Sequence, residues 1–183
     1  FSQNISLDPF ELYIKSLGSG SDGVSENAFN FWGALFSLKF MSDKTYFSPI
    51  TYQLGGYLIL GLLVSLPSFL FLKRWFSKRF LIIFLTYLSL TYFFFLTRLH
   101  ERHLAPAILF LTLIVVLDKR YWLSLIFMSF LYQLNLYRGM LEPNIPFFNF
   151  LISQLGIIKL IILGFFMVII YHLYAIMKKE NFK

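Results

Sequence analysis

Long apolar blocks alternate with short basic clusters over most of the chain. From residue 51 onward the blocks are 14 to 22 residues long, and the longest, 51–72, contains no charged side chain. A helix rises about 1.5 Å per residue, so this block reaches about 33 Å, and a hydrocarbon core is about 30 Å thick. The pattern predicts an all-α polytopic membrane protein with about five transmembrane helices. The predicted spans are 51–72, 80–97, 99–117, 121–137 and 148–177, followed by a tail at 178–183.

The first 50 residues have a mixed composition and are predicted to form an extracytoplasmic loop. Gly and Ser recur over 18–26, which is typical of a flexible loop. Ser25 is a candidate N-cap for a helix over about 26–40. The pattern is equally consistent with a helix that lies in the membrane interface and with an ordinary surface helix packed against the protein. Its polar or small stripe consists of Asn27, Asn30, Ala34 and Ser37.

Composition narrows the class of protein. Hydrophobic residues make up 58% of the chain and charged residues 14%, whereas soluble domains contain about 25% charged residues. An ordinary soluble domain is therefore excluded. The absence of Cys excludes disulfides and thiolate metal sites. Because the chain begins with Phe1 and shows no signal-peptide pattern, we expect it to be part of a longer protein.

The basic residues predict an orientation rather than a nucleic-acid partner, although the net charge is +7. Nine of the 16 Lys and Arg residues lie in short turns and in the C-terminal tail on one side of the predicted membrane, and six are spread over longer segments on the other. Short, basic loops face the cytoplasm. We therefore expect a cytoplasmic C-terminus and an extracytoplasmic N-terminal segment, in a bacterial plasma membrane.

A charged cluster lies at the start of the third predicted span, on the side where positive charge is sparse. Ionisable side chains at the edge of a membrane cost about 2.5 to 3.5 kcal/mol each unless they pair or face water. A basic cap that extends toward the interface is one explanation. The density of the cluster favours another, binding of the phosphate of an anionic lipid, which Arg holds in a bidentate manner. The cluster comprises Arg98, His100, Glu101, Arg102 and His103.

Further polar residues on the predicted outer side are weaker candidates. Sugar or acceptor contacts are assigned to Asn27, Asn30, Trp32 and Arg138, although amides often only satisfy backbone groups. If the last helix starts near residue 147, Lys159 is buried and needs an anionic partner. If the helix starts near residue 157, the Lys159 side chain only extends to the membrane interface. His172 is expected to be structural. The acidic residues that show no metal-site spacing and no link to the cluster are Asp22, Glu26 and Asp43.

Two motifs carry a family resemblance. His100-Glu-Arg-His-Leu-Ala-Pro106 resembles the His-Glu-Arg-Tyr-Leu-x-Pro motif of bacterial GT-C glycosyltransferases, with His103 in place of the usual aromatic residue. Ser25-x-Asn-Ala-Phe-Asn-Phe-Trp32 resembles the Ser-x-Asn-Ala-Tyr-Asn-Leu-Trp segment of their mannosyltransferase-like branch, and it precedes the first motif in both cases.

The resemblance implies inverting transfer of a hexose such as mannose from a polyprenyl-phosphate donor, on the extracytoplasmic face. It places His100 and Arg102, with Arg98 or Lys159, at the departing phosphate, where fixed cations lower the barrier. It places the general base, an Asp, upstream of this chain. The implied partners are the lipid-linked donor, membrane lipids and the upstream part of the same protein. No cofactor is identified, and a divalent metal is left open.

Two other functions compete with this interpretation. An O-antigen ligase or polymerase also carries outer Arg and His residues, although typically in one long loop. A non-catalytic lipid-binding or transport subunit would use the same cations without a reaction, although transporters favour repeats, and the chain shows no repeat of fixed period.

Overall fold

A computed structural model describes residues 23, 28–37, 41–47, 49–73, 78–139 and 145–178. Within these ranges the chain is mostly helical. The seven helices are α1 (Phe31–Leu35), α2 (Tyr52–Lys73), α3 (Lys78–Phe95), α4 (Ala105–Leu117), α5 (Trp122–Gly139), α6 (Pro146–Ser153) and α7 (Leu155–Met177). A two-stranded antiparallel hairpin, β1 (Tyr46–Phe47) and β2 (Ile50–Thr51), precedes α2. Short 3₁₀ turns, Glu101–Leu104 and Lys119–Tyr121, lead into α4 and α5.

Three helices are long and apolar enough to cross a membrane, over Tyr52–Leu72, Lys78–Phe95 and Leu155–Met177. The apolar helical stretch Arg102–Leu117 is shorter. Helix α5 has 18 residues but carries several polar side chains, Gln133 and Asn135 among them. Within the described residues, membrane-crossing length and apolarity are thus shown for three helices and not for all five predicted spans.

Helix α3 lies at the centre of the bundle and packs against α2, α4 and α7. It buries ten side chains, most of them aromatic or aliphatic. The Tyr87 hydroxyl donates a hydrogen bond to the Leu63 carbonyl oxygen in α2, at 2.9 Å. Phe94 of α3 packs edge to face on Phe165 of α7, with ring centroids 4.8 Å apart. Between apolar helices in lipid, close packing and hydrogen bonds of this kind supply the stabilisation.

The bundle has two ends that differ in their charged residues. At the Arg79 end, the start of α3 meets the end of α4 through an ion pair between Arg79 and Asp118. Tyr121 leads into α5, and its ring centroid lies 5.1 Å from that of His172, near the end of α7. The opposite end, called the Arg98 end, therefore contains the end of α3, the starts of α2, α4 and α7, and the end of α5.

The predicted helix over about 26–40 is wrong in its extent. Asn30 has an extended conformation and caps α1, with its Oδ1 accepting a hydrogen bond from Gly33 N at 2.9 Å. Ser37 has a φ of 54°, which lies past the helix end. Asn30 and Ser37 are therefore not part of one continuous stripe. Residues 26, 27 and 38–40 lie outside the described ranges.

The predicted last span, 148–177, is also wrong in its start. Gln154 has an extended conformation, with φ −94° and ψ 97°, and separates α6 from α7. The carbonyl of Gln154 then accepts the first hydrogen bond of α7, from Ile158 N at 3.1 Å. Helix α7 has 23 residues, about 34 Å, and is long enough to cross without α6.

Candidate functional site

Asp43 and Arg98 form a buried ion pair at the Arg98 end. Asp43 is fully buried, whereas a third of the Arg98 side chain is exposed. Arg98 Nε and Nη2 donate to the two carboxylate oxygens at 2.6 and 3.0 Å. The Thr97 hydroxyl donates to the same carboxylate at 3.1 Å. This two-pronged contact attaches the segment before the β hairpin to the end of α3, and such charge-assisted bonds are among the stronger ones in proteins.

The backbone at Arg98 is strained, which shows how firmly this residue is held. Its φ is 59°, in the left-handed region that costs a non-glycine residue about 1 to 2 kcal/mol. The Arg98 N–H donates to the Gly23 carbonyl at 3.2 Å, and Gly23 in turn bridges Ser42. The expectation that Asp43 is unconnected to the cluster is therefore wrong. Arg98, a predicted phosphate ligand, has its guanidinium engaged by a carboxylate.

The remaining members of the charged cluster lie on the 3₁₀ turn before α4. The His100 N–H donates to His103 Nδ1 at 2.9 Å, so a neutral His103 carries its proton on Nε2. The two imidazole rings are 5.9 Å apart. Arg102 is exposed and contacts no acidic side chain in the described ranges. The side chain of Glu101 lies outside the described part.

The segment before α1 is held against the end of α5. Phe29 N donates to Asn135 Oδ1 at 2.7 Å, and Asn135 Nδ2 donates to the Leu131 carbonyl of its own helix at 3.0 Å. The guanidinium carbon of Arg138 lies 5.9 Å from the centre of the Phe29 ring, close enough for a cation–π contact. Asn30, which follows Phe29, is fully buried. Of the predicted contact residues, Arg138 thus lies beside the Phe29 ring, and Asn30 is buried next to Phe29 in the chain.

Trp32 attaches α1 to the end of α3. Its indole N–H donates to the Phe95 carbonyl oxygen at 2.7 Å, and its side chain is buried. Its ring stacks on Phe36 at a centroid distance of 6.3 Å. The polar atom of Trp32 is therefore already used within the protein, which leaves only its ring face for the predicted sugar contact. Asn27, another predicted contact, lies outside the described residues.

An apolar groove of about 650 Å³ opens beside Lys159. Helices α1, α2, α3 and α7 line it, with Leu62, Phe94 and Phe166 among its side chains. Lys159 supplies the cationic group of this lining and is exposed. Because α7 begins at Leu155, Lys159 lies about 6 Å from the helix start. The structure thus agrees with a Lys159 side chain that extends toward the nearby helix end. It does not agree with a Lys159 buried deep in the last helix.

The Arg79 end holds the other described carboxylate. Asp118 pairs with Arg79, and its oxygen lies 3.0 Å from Arg120 Nη2. Burial raises the pKa of the Asp118 carboxyl, but hydrogen bonds from Arg120 and the charge of Arg79 outweigh burial and bring the pKa below its ordinary value of 3.8. At the same end His172 is buried, with Nδ1 2.9 Å from the Val168 carbonyl, which fits a structural role.

Sequence reasoning missed Asp43 and Asn135 as members of the Arg98 end. Asp43 lies 55 residues from Arg98, and Asn135 lies 106 residues from Phe29. Neither contact follows a local period. The available signal was the polar side chain itself, since Asn135 lies in an otherwise apolar helix and such residues normally bond a neighbouring element.

Comparison with known proteins assigns no family: no protein-family model, no curated protein and no solved structure matches this chain. In the described ranges, no three His, Asp or Glu side chains group in a way that could hold a metal ion. Function is therefore inferred from the geometry of the Arg98 end together with the motif resemblance.

Proposed function

We propose that this chain is the C-terminal membrane part of a glycosyltransferase that moves a sugar from a polyprenyl-phosphate donor to an acceptor on the extracytoplasmic face. The observation that carries the proposal is that cations and an apolar groove occur together at the Arg98 end. Arg102 and Lys159 have no acidic partner among the described residues, and Lys159 borders a groove of about 650 Å³ between apolar helices. A lipid phosphate has the same division into an anionic head and an apolar chain.

The chemistry assigned to these cations is stabilisation of the leaving group. The acceptor oxygen bonds to the anomeric carbon as the bond from that carbon to the phosphate oxygen breaks, and the electron pair leaves with the polyprenyl phosphate. Negative charge therefore grows on the phosphate, where fixed donors are most effective. Arg102 supplies a guanidinium, and His103 follows it on the same turn. His100 and Glu101 lie next to them on the same turn.

In keeping with the motif resemblance, the general base is proposed to be an Asp upstream of this chain, since neither described carboxylate that pairs with arginine suits the role. Asp43 is a poor base because its two oxygens already accept from Arg98 and Thr97. Asp118 lies at the opposite end of the bundle and is paired with two arginines. In the full protein a carboxylate from elsewhere would take the proton of the acceptor hydroxyl.

The transfer activity of the full-length enzyme in membranes tests this assignment. Alanine at His100, Glu101 or Arg102 is expected to lower sugar transfer from a polyprenyl-phosphate donor by about 100-fold, because removing one donor to a developing oxyanion costs about that much. Lys78→Ala, which removes an exposed cation at the Arg79 end, is the matched control. Wild-type rates in all three variants would contradict the proposed site.

The proposed orientation has five crossing helices, α2, α3, α4, α5 and α7, with the Arg98 end outside. The antiparallel order of these helices and the basic Arg79 end support it. Cysteine labelling tests it cleanly because the chain has no Cys. Thr45→Cys is expected to react with an impermeant maleimide added to intact cells, and Lys119→Cys only after lysis. The reverse result would invert the topology.

A non-catalytic lipid-binding subunit is the second candidate. It is favoured by one observation, namely that the two acidic side chains that the structure describes, Asp43 and Asp118, are paired with arginine. This candidate predicts that the full-length protein binds a polyprenyl-phosphate sugar and leaves its glycosidic bond intact. Release of free polyprenyl phosphate in an assay with acceptor would decide for the transferase.

A further inference from the structure

A second apolar groove, of about 550 Å³, opens between α1 and the start of α2 at the Arg98 end. The residues that line both this groove and the groove beside Lys159 are Phe31, Leu35 and Ile59. These shared residues separate the two grooves, since Ala34 lines only the groove beside Lys159 and Trp32 lines only the second groove. The other lining residues of the second groove are Phe36, Ile50, Thr51, Tyr52, Gly55 and Leu58.

Ring contacts hold the wall of the second groove in place. Tyr52 packs edge to face against Trp32 and Phe36, with ring centroids 5.7 and 4.9 Å apart. The Tyr52 N–H donates to the Thr45 carbonyl oxygen at 3.2 Å, which ties the start of α2 to the segment before the hairpin. Gly55 leaves space beside these rings, because a Cβ atom there would come no closer than 3.8 Å to another side chain. The groove is therefore fixed by contacts within the protein.

Two polar groups of this lining are already bonded within the protein. The Trp32 indole N–H donates to the Phe95 carbonyl oxygen at 2.7 Å. The Thr51 hydroxyl oxygen accepts from the Leu54 N–H at 3.2 Å. A sugar that left water for this groove would lose hydrogen bonds that these groups cannot replace, whereas a hydrocarbon chain would lose none. The lining therefore favours an apolar ligand.

The dimensions of the second groove fit a lipid chain better than a protein helix. Its α2 lining extends from Tyr52 to Ile59, about 11 Å along the helix axis. A membrane-spanning helix is about 30 Å long and about 10 Å across, and one turn of it occupies about 420 Å³. The groove of about 550 Å³ accommodates little more than one such turn. The extended chain of a lipid is thin enough to lie along it.

We infer that the second groove binds the apolar chain of a second lipid, and that this lipid is the sugar acceptor. The role as acceptor rests on the proposed function, whereas the binding of the chain does not. The groove beside Lys159 holds the donor chain, and the shared residues keep the two chains apart. Two lipids that insert side by side bring their head groups to the same end of the bundle, which supplies the proximity that transfer requires.

Quenching of Trp32 fluorescence tests the second groove, because Trp32 belongs to its lining. Trp75→Phe and Trp122→Phe leave Trp32 as the only tryptophan of the full chain. The probe is dioleoylglycerol with dibrominated chains, which quench tryptophan on contact, added to the protein in detergent micelles. It is uncharged and therefore does not compete with a phosphate for the cations of the Arg98 end. The quenching is expected to saturate at a low fraction of probe in the micelle.

Gly55→Leu is expected to weaken this binding about tenfold, because the added side chain displaces about two methylene groups of the ligand. Gly61→Leu is the matched control in the same helix, since Gly61 lines neither groove and a Cβ atom there meets nothing within 4 Å. It should bind the probe as the wild type does. Leu58→Ala, at an exposed position of the lining, should weaken binding about threefold and gives a second test if Gly55→Leu does not fold.

Saturating polyprenyl phosphate should leave the affinity for the probe unchanged, because the two lipids occupy different grooves. Quenching that rises in proportion to the probe fraction, with the same slope in Gly55→Leu, would show only bulk lipid around α2. Loss of quenching when polyprenyl phosphate is added would show a single lipid across both grooves. Either of these two results overturns the inference.

The role as acceptor is tested separately, with octyl and methyl glycosides as acceptors for the full-length enzyme. The KM for the octyl glycoside should be at least about tenfold lower than that for the methyl glycoside, and Gly55→Leu should raise it about tenfold. Equal KM values would overturn the role as acceptor and leave the proposed transfer standing. Absence of transfer to both glycosides would contradict the proposed function itself, and the Trp32 quenching would then still decide whether the groove binds a lipid chain.

Discussion

The two ends of the bundle use their carboxylates in opposite ways. At the Arg79 end, Asp118 is shared by two arginines near the surface. At the Arg98 end, Asp43 is fully buried and forms an ion pair with Arg98. Three further cations at that end, Arg102, Arg138 and Lys159, have no acidic partner in the described ranges.

This difference separates stabilising charges from charges available for binding. The Asp118 carboxylate neutralises two arginines, and the Arg120 side chain is 55% exposed, so water screens part of that interaction. The buried Asp43 pair instead fixes the position of the turn that carries His100 and Arg102. Cations beside it that have no acidic partner among the described residues are available to bind an anion.

Removal of the buried carboxylate should have the largest effect on stability. Asp43→Asn is expected to lower the free energy of unfolding by about 3 kcal/mol, because it leaves the Arg98 charge without its counter-charge in a partly buried position. Unfolding of the purified protein in mixed micelles, followed by circular dichroism, measures this loss.

The matched change at the other end is Asp118→Asn. It should cost less than Asp43→Asn, because Asp118 is not fully buried and the Arg120 side chain is more than half exposed to water. Equal losses for the two variants, or a larger loss for Asp118→Asn, would remove the distinction between the ends.

The backbone contact between α2 and α3 at the Arg98 end should show the next largest effect. A Cβ atom at Gly56 would lie 2.9 Å from the Phe95 carbonyl oxygen, which already accepts the Trp32 N–H. Gly56→Ala is therefore expected to cost about 2 kcal/mol, since the helices must separate.

Gly61→Ala is the control within the same helix, because its Cβ would meet nothing within 4 Å. It should leave stability unchanged or raise it by about 0.5 to 1 kcal/mol. A Gly56→Ala protein with wild-type stability would show that this close approach is not required.

The smallest effect is expected from acid at the Arg79 end. The pKa of Asp118 in the folded protein lies below 3.8, so the ionised form is favoured by folding. The stabilisation of the folded protein by ionised Asp118 is fully present above pH 3.8. It is lost as the pH falls through the pKa of the folded state. The difference in unfolding free energy between the wild type and Asp118→Asn should therefore be constant above about pH 5 and shrink below about pH 4. A difference that grows on acidification would contradict this sign.

The long helices could be predicted from the sequence, and most contacts of the Arg98 end could not. The predicted spans 51–72 and 80–97 match α2 and α3 within a few residues, because the length of an apolar run and the charges at its ends are local properties. The predicted third span, 99–117, ends where α4 ends but starts six residues too early, since residues 101–104 form a 3₁₀ turn before the helix.

Which cations of the charged cluster before α4 are paired depends on a distant residue. The Asp43 carboxylate reaches Arg98 across 55 residues of sequence, and no period in the chain encodes that contact. The break at Gln154 has a similar origin, since an apolar run continues on both sides of it and only the backbone conformation separates α6 from α7.

The claim that the Arg98 end keeps cations for a lipid phosphate is tested most directly by native mass spectrometry of the full chain with polyprenyl phosphate and with uncharged polyprenol. The wild type should prefer the phosphate by about tenfold or more. The Arg102→Ala/Lys159→Ala double variant should lose that preference, while Lys78→Ala/Lys119→Ala retains it. Equal binding of both lipids by the wild type, or an unchanged preference in the first double variant, would contradict the account.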